Sequence, residues 1–473
     1  MPNSRRNSGC GCNSVNRRRV LAGLGAAGFA GIAGCSGGDP TATDSSGGPT
    51  VTSEEGEWPD LSGQEVHFMV DETSDPWRNF FSTVASDFKA ATGAEVRMEY
   101  QATGGDAEDR LAQLLQAGDP PEILLSSVSQ SAQLAAQGVA APVNDAFNAV
   151  VDRYGEPRQQ MQWEGDQYMM PFGSNIGMFF YRTDVYDEPP STWETLLSEG
   201  RRIEEEDNGM HGTSLFRGTG FCTELQLMSW AYSNEAWVCE NNGGTDVNVI
   251  IDEGSNRDRW VEVLGYMQDL HTISGGNEDI NCNGSTAIAN ENAAHGWFVG
   301  SRQKNQAIVQ EKDFAENVAL IQQPGPGQEA ALTNGLTDGL ITYKGADNQA
   351  AQTYMEFFAQ PKYFTQIMSL TPLHIIPPFE GIFDIPEVEE QLANLPDAWT
   401  DQDIQVMRDA TEDYITMAGE TDPTNPFGGA IYGSRILSDV LYDATIEGQD
   451  PGSVIDEYAP QIQEAVDEVK ESL

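Results

Sequence analysis

Val66-His67-Phe68-Met69-Val70-Asp71-Glu72-Thr73 opens the folded part of the chain. A short, mainly apolar run that stops at charged and hydroxyl side chains predicts a buried strand. Outward from it, Phe80, Phe81, Val84 and Phe88 recur at helical spacing, and Thr92-Gly93 ends that helix. Val96-Arg97-Met98-Glu99-Tyr100 alternates as a strand, and Leu111, Leu114 and Leu115 mark another helix. Glu122-Ile123-Leu124-Leu125 reads as a buried strand, followed by a helix from Gln130 to Gln137. Strand, helix, strand, helix, strand with such short gaps predicts an α/β fold with a parallel, doubly wound sheet.

Further along, Tyr168-Met169-Met170-Pro171-Phe172 and Ile176-Gly177-Met178-Phe179-Phe180-Tyr181 form two extended runs. Helical spacing then dominates: Trp193 to Glu206, Glu224 to Tyr232 and Arg257 to His271. Ala330 to Tyr343 is Gly-rich and extended, Asn348 to Ala359 is helical, and the C-terminal third is helical. Roughly 410 residues of folded body exceed what one core usually holds, so two or more domains are expected.

Ahead of this body, Asn16-Arg17-Arg18-Arg19-Val20-Leu21 leads into a weakly apolar Gly/Ala run and then Ile32-Ala33-Gly34-Cys35. A basic start, a short apolar run and a small-residue cleavage site make a secretory signal, here resembling the twin-arginine type. The apolar run is too short to span a bilayer, which needs about 20 residues. Cys35 matches the lipidated cysteine of a lipoprotein box. Residues 36–57 are Ser, Gly, Thr, Asp, Pro and Glu with few apolar side chains, a flexible tether. The protein is therefore expected to cross the membrane folded and to stay on its outer face through lipid alone. Gly23-Leu24-Gly25-Ala26-Ala27-Gly28 and Gly34-Cys35-Ser36-Gly37-Gly38 match a dinucleotide fingerprint and a nucleophile elbow. Both motifs need a strand-to-helix turn in a folded sheet, which a signal or tether does not supply.

The 473 residues carry 74 acidic and 25 basic side chains, and only six of the latter are lysines. Processing removes five arginines and no acid, so the mature chain is more acidic still. Such a surface suits molar salt, where the Debye length is about 3 Å and self-repulsion is screened. It excludes nucleic acid as a partner, which requires cationic contacts to phosphate. Three cysteines lie in the body: Cys222, Cys239 and Cys282. An odd number outside the cell points to one disulfide and one buried thiol. Asn/Gly-rich surroundings favour Cys239 with Cys282, although spacing leaves the connectivity open. Asn283-Gly284-Ser285 is a glycosylation sequon in that region. No Ser-His-Asp spacing or H-E-x-x-H occurs, His295 and His374 have no ligand-spaced partner, and neither a metal nor a cofactor is expected.

Several segments resemble the family-1 extracellular solute-binding proteins of ATP-driven (ABC) importers, which include the maltose- and glycerol-phosphate-binding proteins. These are Pro121 to Leu125, Leu134 to Val143, Trp163-Glu164-Gly165-Asp166-Gln167-Tyr168-Met169-Met170-Pro171, Phe180-Tyr181-Arg182-Thr183-Asp184 and Pro189-Pro190-Ser191-Thr192-Trp193-Glu194-Thr195-Leu196. Weaker likenesses fall at Gln349 to Lys362 and Glu447 to Ile462. With the acidic surface and Cys35, the whole resembles a haloarchaeal-type lipoprotein of that family. The resemblance implies a two-lobed periplasmic-binding-protein-like fold of type II, with ligand in the cleft and several hinge crossings. The implied parts are a signal at 1–34, a tether at 35–60, a first lobe of 61–173 plus 337–377, and a second of 174–336 plus 378–473. Crossings are expected at Gly173-Ser174, Gly335 to Thr337 and Ile376 to Pro378, and the chain is expected to be a monomer that delivers its solute to a permease.

In α/β lobes the ligand groups stand at the carboxyl ends of strands. Asp71, Glu72 and Thr73 follow the first strand, and Ser126, Ser127 and Gln130 follow the strand ending at Leu125. Ser174, Asn175 and Asp338 lie at hinge crossings. The resemblance adds Trp297 as a stacking residue and Tyr432 and Arg435 as C-terminal contacts. Trp77, Trp163, Trp230 and Trp237 are divided between core and cleft rim. A carbohydrate is the expected solute. Glycerol phosphate, a polyamine or iron in the same fold, and an extracellular hydrolase with two carboxylates, remain the alternatives.

Overall fold

The computed structural model describes residues 51–473 except 54–55, 102–104, 207–208, 276–291, 328–329, 346–347 and 418–423. The signal, Cys35, Cys282 and Asn283 lie outside the described residues. Within the span read as tether, Val51–Ser53 pairs antiparallel with Gly56–Trp58. Trp58 packs edge-on against Phe357, with ring centroids 5.3 Å apart, so the end of that span belongs to the folded body.

The first units form as their pattern predicts. β1 (Glu65–Val70) leads into α1 (Asp75–Thr92), whose Trp77, Phe80, Phe81, Val84 and Phe88 make one buried stripe. Gly93 ends α1 at φ 82°, donating its N–H to the Lys89 carbonyl. That left-handed position is one glycine adopts without steric cost. β2 (Glu95–Tyr100), α2 (Gly105–Ala117), β3 (Ile123–Ser127), α3 (Val128–Ala136) and α4 (Asn144–Tyr154) follow. β1 pairs parallel with both β2 and β3. In the Trp163 hairpin, Glu164 and Gly165 both have positive φ, as a two-residue turn matched to strand twist requires.

The two extended runs expected around Gly173-Ser174 are one strand, β4 (Met170–Arg182). The chain continues through α5 (Trp193–Glu205), β5 (His211–Ser214), α6 (Phe221–Ser233) and α7 (Gly254–His271). Next come β6 (Ala293–Val299), α8 (Arg302–Val309), β7 (Val318–Ile321) and β8 (Thr333–Tyr343). α9 (Asn348–Phe358), α10 (Asp401–Ala410), β9 (Tyr414–Ile415), α11 (Gly428–Ser434), α12 (Ile436–Thr445) and α13 (Pro451–Lys470) complete the main elements. Thr192 caps α5 through a reciprocal box with Thr195.

The sheet is mixed rather than wholly parallel. Its order is β5, β6, β4, β8, β3, β1, β2, with β7 on β4 and β9 on β8. β4 and β8, of 13 and 11 residues, are antiparallel. At one end β8 pairs with β3; at the other β4 pairs with β6 and β7. These two strands carry the chain between the lobes. The crossing at Gly173-Ser174 is thus continuous strand, with the β4–β8 register shifting between Asp338 and Gly339. A bulge of this kind adds local twist where the sheet passes between lobes.

Two large cores pack against the β4–β8 pair. One gathers Phe68, Phe81, Phe172, Tyr354 and Phe358. The other gathers Trp230, Trp260, Trp297, Leu437 and Ile462. Phe379, Phe383, Val406, Met407 and Tyr414 join the first core, which also takes in Met178 and Phe180 of β4 and Val318 and Leu320 of β7. Asp403 of α10 takes Lys304 Nζ at 2.7 Å and the Leu320 amide at 3.2 Å, with both ion-pair side chains almost wholly buried.

Candidate ligand cleft

Side chains alternate across a strand, so the hinge strands present two different faces. Leu336 pairs with Asn175, and Thr337 pairs with Ser174. One face therefore carries Asn175, Asn334, Leu336 and Asp338, and the other carries Ser174, Thr333 and Thr337. Hydrogen bonds agree with that division. Asn175 Nδ2 donates to Asp338 Oδ2 at 3.4 Å, while Ser174, Thr337 and Tyr414 join hydroxyls at 2.7–3.1 Å.

Ser174 is thus on the opposite face from Asn175 and Asp338. It lines a cavity of about 370 Å³ behind the hinge, with Ile176, Ile376, Tyr414, Arg158 and Arg408. One residue of register decides this, and no composition signal at Gly173-Ser174-Asn175 reports it.

The other face meets the strand ends. Met69 of β1 lies beside Leu124 of β3, and Ser127 lies beside Asp338 of β8. Asp71, Glu72, Ser126, Ser127 and Asp338 are thereby gathered at one end of the first lobe's sheet. Asp71, Glu72, Asn175 and Asp338 are half-buried, as walls of a concave surface would be, and Thr73 is exposed. Burial, and next the Asp71 charge, pushes the Glu72 carboxyl up to about 7 against the pull of Arg302. Burial, and then Asp71 and Glu72, pushes Asp338 up to about 8, with the Asn175 hydrogen bond opposing. Like charges crowded in a poorly solvated site resist full ionisation. Asn175 Oδ1 accepts from no described residue.

A second polar group stands where α3 and α11 meet. Ser126 Oγ donates to Gln130 Oε1 at 2.8 Å, and Ser127 Oγ caps α3 by accepting the Gln130 N–H. Tyr432 is 5% exposed and donates its hydroxyl to Asn334 Oδ1. Arg435 donates to Glu224 Oε2 at 2.9 Å and lies over the Phe221 ring. It holds φ 63° at the break between α11 and α12. Burial raises Glu224 to about 8 against the opposing Arg435 charge. Sequence reasoning missed Glu224, Phe221 and Arg302. A lone glutamate in the apolar run of α6, buried nearly all round, was the available signal for the first.

Trp297 is not on the cleft surface. It lies in the middle of β6 rather than in a turn, is 1% exposed, and packs edge-on against Phe216. Every residue of β6 is buried, because the strand pairs with β4 and is covered by the second core. Trp77 and Trp230 are likewise core, and Trp163 and Trp237 are partly buried. The favoured disulfide is also corrected. Cys222 is disulfide-bonded, to a partner outside the described residues, and Cys239 is a buried thiol. Cys239 is held in a short strand paired with Val247–Val249, a setting its Asn/Gly-rich neighbourhood does not announce.

Two lobes joined through shared strands, with polar side chains gathered at the strand ends, fit the class of two-lobed solute-binding receptors. Residues 83–397 match the family of bacterial extracellular solute-binding proteins, and the chain belongs to it. YcjN of Escherichia coli (strain K12), which carries the name of an ABC transporter periplasmic-binding protein, is 21% identical over 386 residues. That match covers 75% of this chain and 82% of the relative. The GacH receptor of Streptomyces glaucescens GLA.O, solved unliganded and with acarbose, superposes at TM-score 0.69 with 15% identity, covering 86% of this chain and 99% of its own. Maltose-bound T. maritima MalE3 gives 0.69 at 14% identity, covering 85% and 99%. A solute-binding protein from Agrobacterium radiobacter K84 in complex with ribitol gives 0.69 at 15%, covering 86% and 99%. These likenesses show the two-lobed fold.

Proposed function

We propose that this protein is the membrane-tethered solute-binding subunit of an ABC importer, exported by the twin-arginine route and lipidated at Cys35. It binds a carbohydrate between its lobes and hands it to a permease. It performs no chemistry: ligand favours the closed form by touching both lobes. The observation that carries the reading is the half-buried set Asp71, Glu72, Asn175 and Asp338, gathered where the hinge strands meet the sheet ends. Carboxylates and amides there accept and donate hydrogen bonds to sugar hydroxyls, and neighbours of the same fold hold maltose and ribitol. Gln130, bonded to Ser126, extends this wall, and Tyr432 and Arg435 of the second lobe supply the other. The acidic surface supports a working environment of high salt.

A polyamine is the second reading, favoured by the Asp71 charge, which raises the proton affinity of Glu72 and Asp338. Titration calorimetry in about 2 M KCl, with neutral sugars and with spermidine, separates the two. Saturable heat with a sugar and none with spermidine supports the first reading. The reverse result replaces it with the second, and consumption of the sugar would replace both with a hydrolase.

A further inference from the structure

The face of the hinge strands that carries Ser174 ends in a group of hydroxyls, where Ser174, Thr337 and Tyr414 bond one another at 2.7–3.1 Å. Beside it lies the cavity of about 370 Å³, within the roughly 300–1,000 Å³ of small-molecule sites. Separate parts of the chain build it. Ser174 and Ile176 come from β4, and Ile376 to Asp384 from the segment bridged to Ser174. Arg408 to Tyr414 come from the end of α10 and the start of β9. Arg158 enters from the loop after α4, with its main-chain N–H held by the Pro378 carbonyl at 2.8 Å.

The lining divides into an apolar floor and a charged rim. Ile176, Ile376, Phe379 and Phe383 are buried, whereas Arg158, Glu380 and Glu412 are exposed. Arg408 is already neutralised by Asp384 at 2.6 Å. Arg158 Nη1 donates to the main-chain carbonyl of Glu412 at 2.8 Å and leaves that residue's carboxylate alone. Among the described residues, none bonds the other guanidinium N–H groups of Arg158 or the carboxylates of Glu380 and Glu412.

This pattern restricts the occupant. A lone anion drawn to Arg158 would meet two carboxylates, and a lone cation drawn to those carboxylates would meet Arg158. A molecule that carries both charges satisfies both. The floor asks for an apolar body, whose removal from water is favourable. In high salt the exposed rim charges are screened, so they select the charge pattern more than they hold the ligand.

We infer that this cavity is a second binding site, for a small zwitterion of the α-amino-acid class with a branched aliphatic side chain. Its carboxylate would face Arg158, its ammonium group Glu380 and Glu412, and its side chain Ile376, Phe379 and Phe383. The site lies on the opposite strand face from Asn175 and Asp338, and does not depend on what those residues bind.

The test is calorimetry on the whole protein at one high salt concentration with L-leucine, isocaproate and isoamylamine. The second and third keep the branched body and each lack one charge. L-leucine is expected to bind saturably, and at least tenfold more tightly than either. No binding of L-leucine, or equal affinity for isocaproate or isoamylamine, overturns the inference. Arg158→Ala, checked for native circular dichroism, is expected to weaken L-leucine at least tenfold. Glu412→Gln keeps the carbonyl that Arg158 holds, and is expected to weaken L-leucine severalfold while tightening isocaproate. Unchanged L-leucine affinity in Glu412→Gln overturns the inference even if Arg158→Ala does not fold. Glu72→Gln is expected to leave L-leucine affinity within twofold; loss there, with binding kept in Arg158→Ala, would move L-leucine to the strand ends and overturn the site behind the hinge.

Discussion

Replacing Asp338 by Asn should stabilise the protein while weakening its hold on solute. Asp338 has an ordinary carboxyl value of 3.8, raised in the fold to about 8 by burial and by Asp71 and Glu72. Between those values the folded chain binds a proton that the unfolded chain releases, so stability falls as pH rises from about 4 to 8. At pH 7 a single group with that shift opposes folding by about 4 kcal/mol. Solvent reaches the half-buried carboxyl and three acids share the field, which brings the expected gain from Asp338→Asn to ~1–3 kcal/mol. The gain should be largest at pH 8 and should vanish near pH 4, where both states are protonated. Urea unfolding of wild type and variant at pH 4, 6 and 8, in one high salt concentration, reads this directly. Because Asp71 and Glu72 couple to Asp338, the difference at each pH reports Asp338 together with that coupling. A variant less stable than wild type at pH 8, or a difference independent of pH, would refute the reasoning.

Two further outcomes are expected. Lys304→Met, which leaves Asp403 with only the Leu320 and Thr400 donors, should cost about 3 kcal/mol in urea unfolding, and Asp403→Ala about 4–5 kcal/mol because it strands a buried ammonium and two amides; costs below 1 kcal/mol would contradict a buried pair. Peptide mapping without reduction should find Cys222 in a cross-linked peptide and Cys239 alkylated only after denaturation; a cross-link through Cys239 would reverse that assignment.

The periodic elements were legible because their signals are local. The stripe on α1, the Thr192 cap, the Trp163 hairpin and the alternating strands each depend on residues a few positions apart. The extent of β4 was not legible, since Gly173-Ser174-Asn175 looks like a break until β8 pairs along it. Trp297 was misplaced for a similar reason. Its place in a turn came from resemblance, whereas pairing of β6 with β4 sets it in the core.

The sequence by itself determined the α/β class, the order of the elements in the first lobe, the resemblance to solute-binding proteins and the acidic surface. These follow from side-chain spacing and charge. The tertiary structure alone decided which polar groups share a face. A strand sends alternate side chains to opposite faces, so a single register puts Asn175 and Asp338 with Glu72 and turns Ser174 to the rear. It alone brought Gly429 onto Ser129, two residues 300 positions apart.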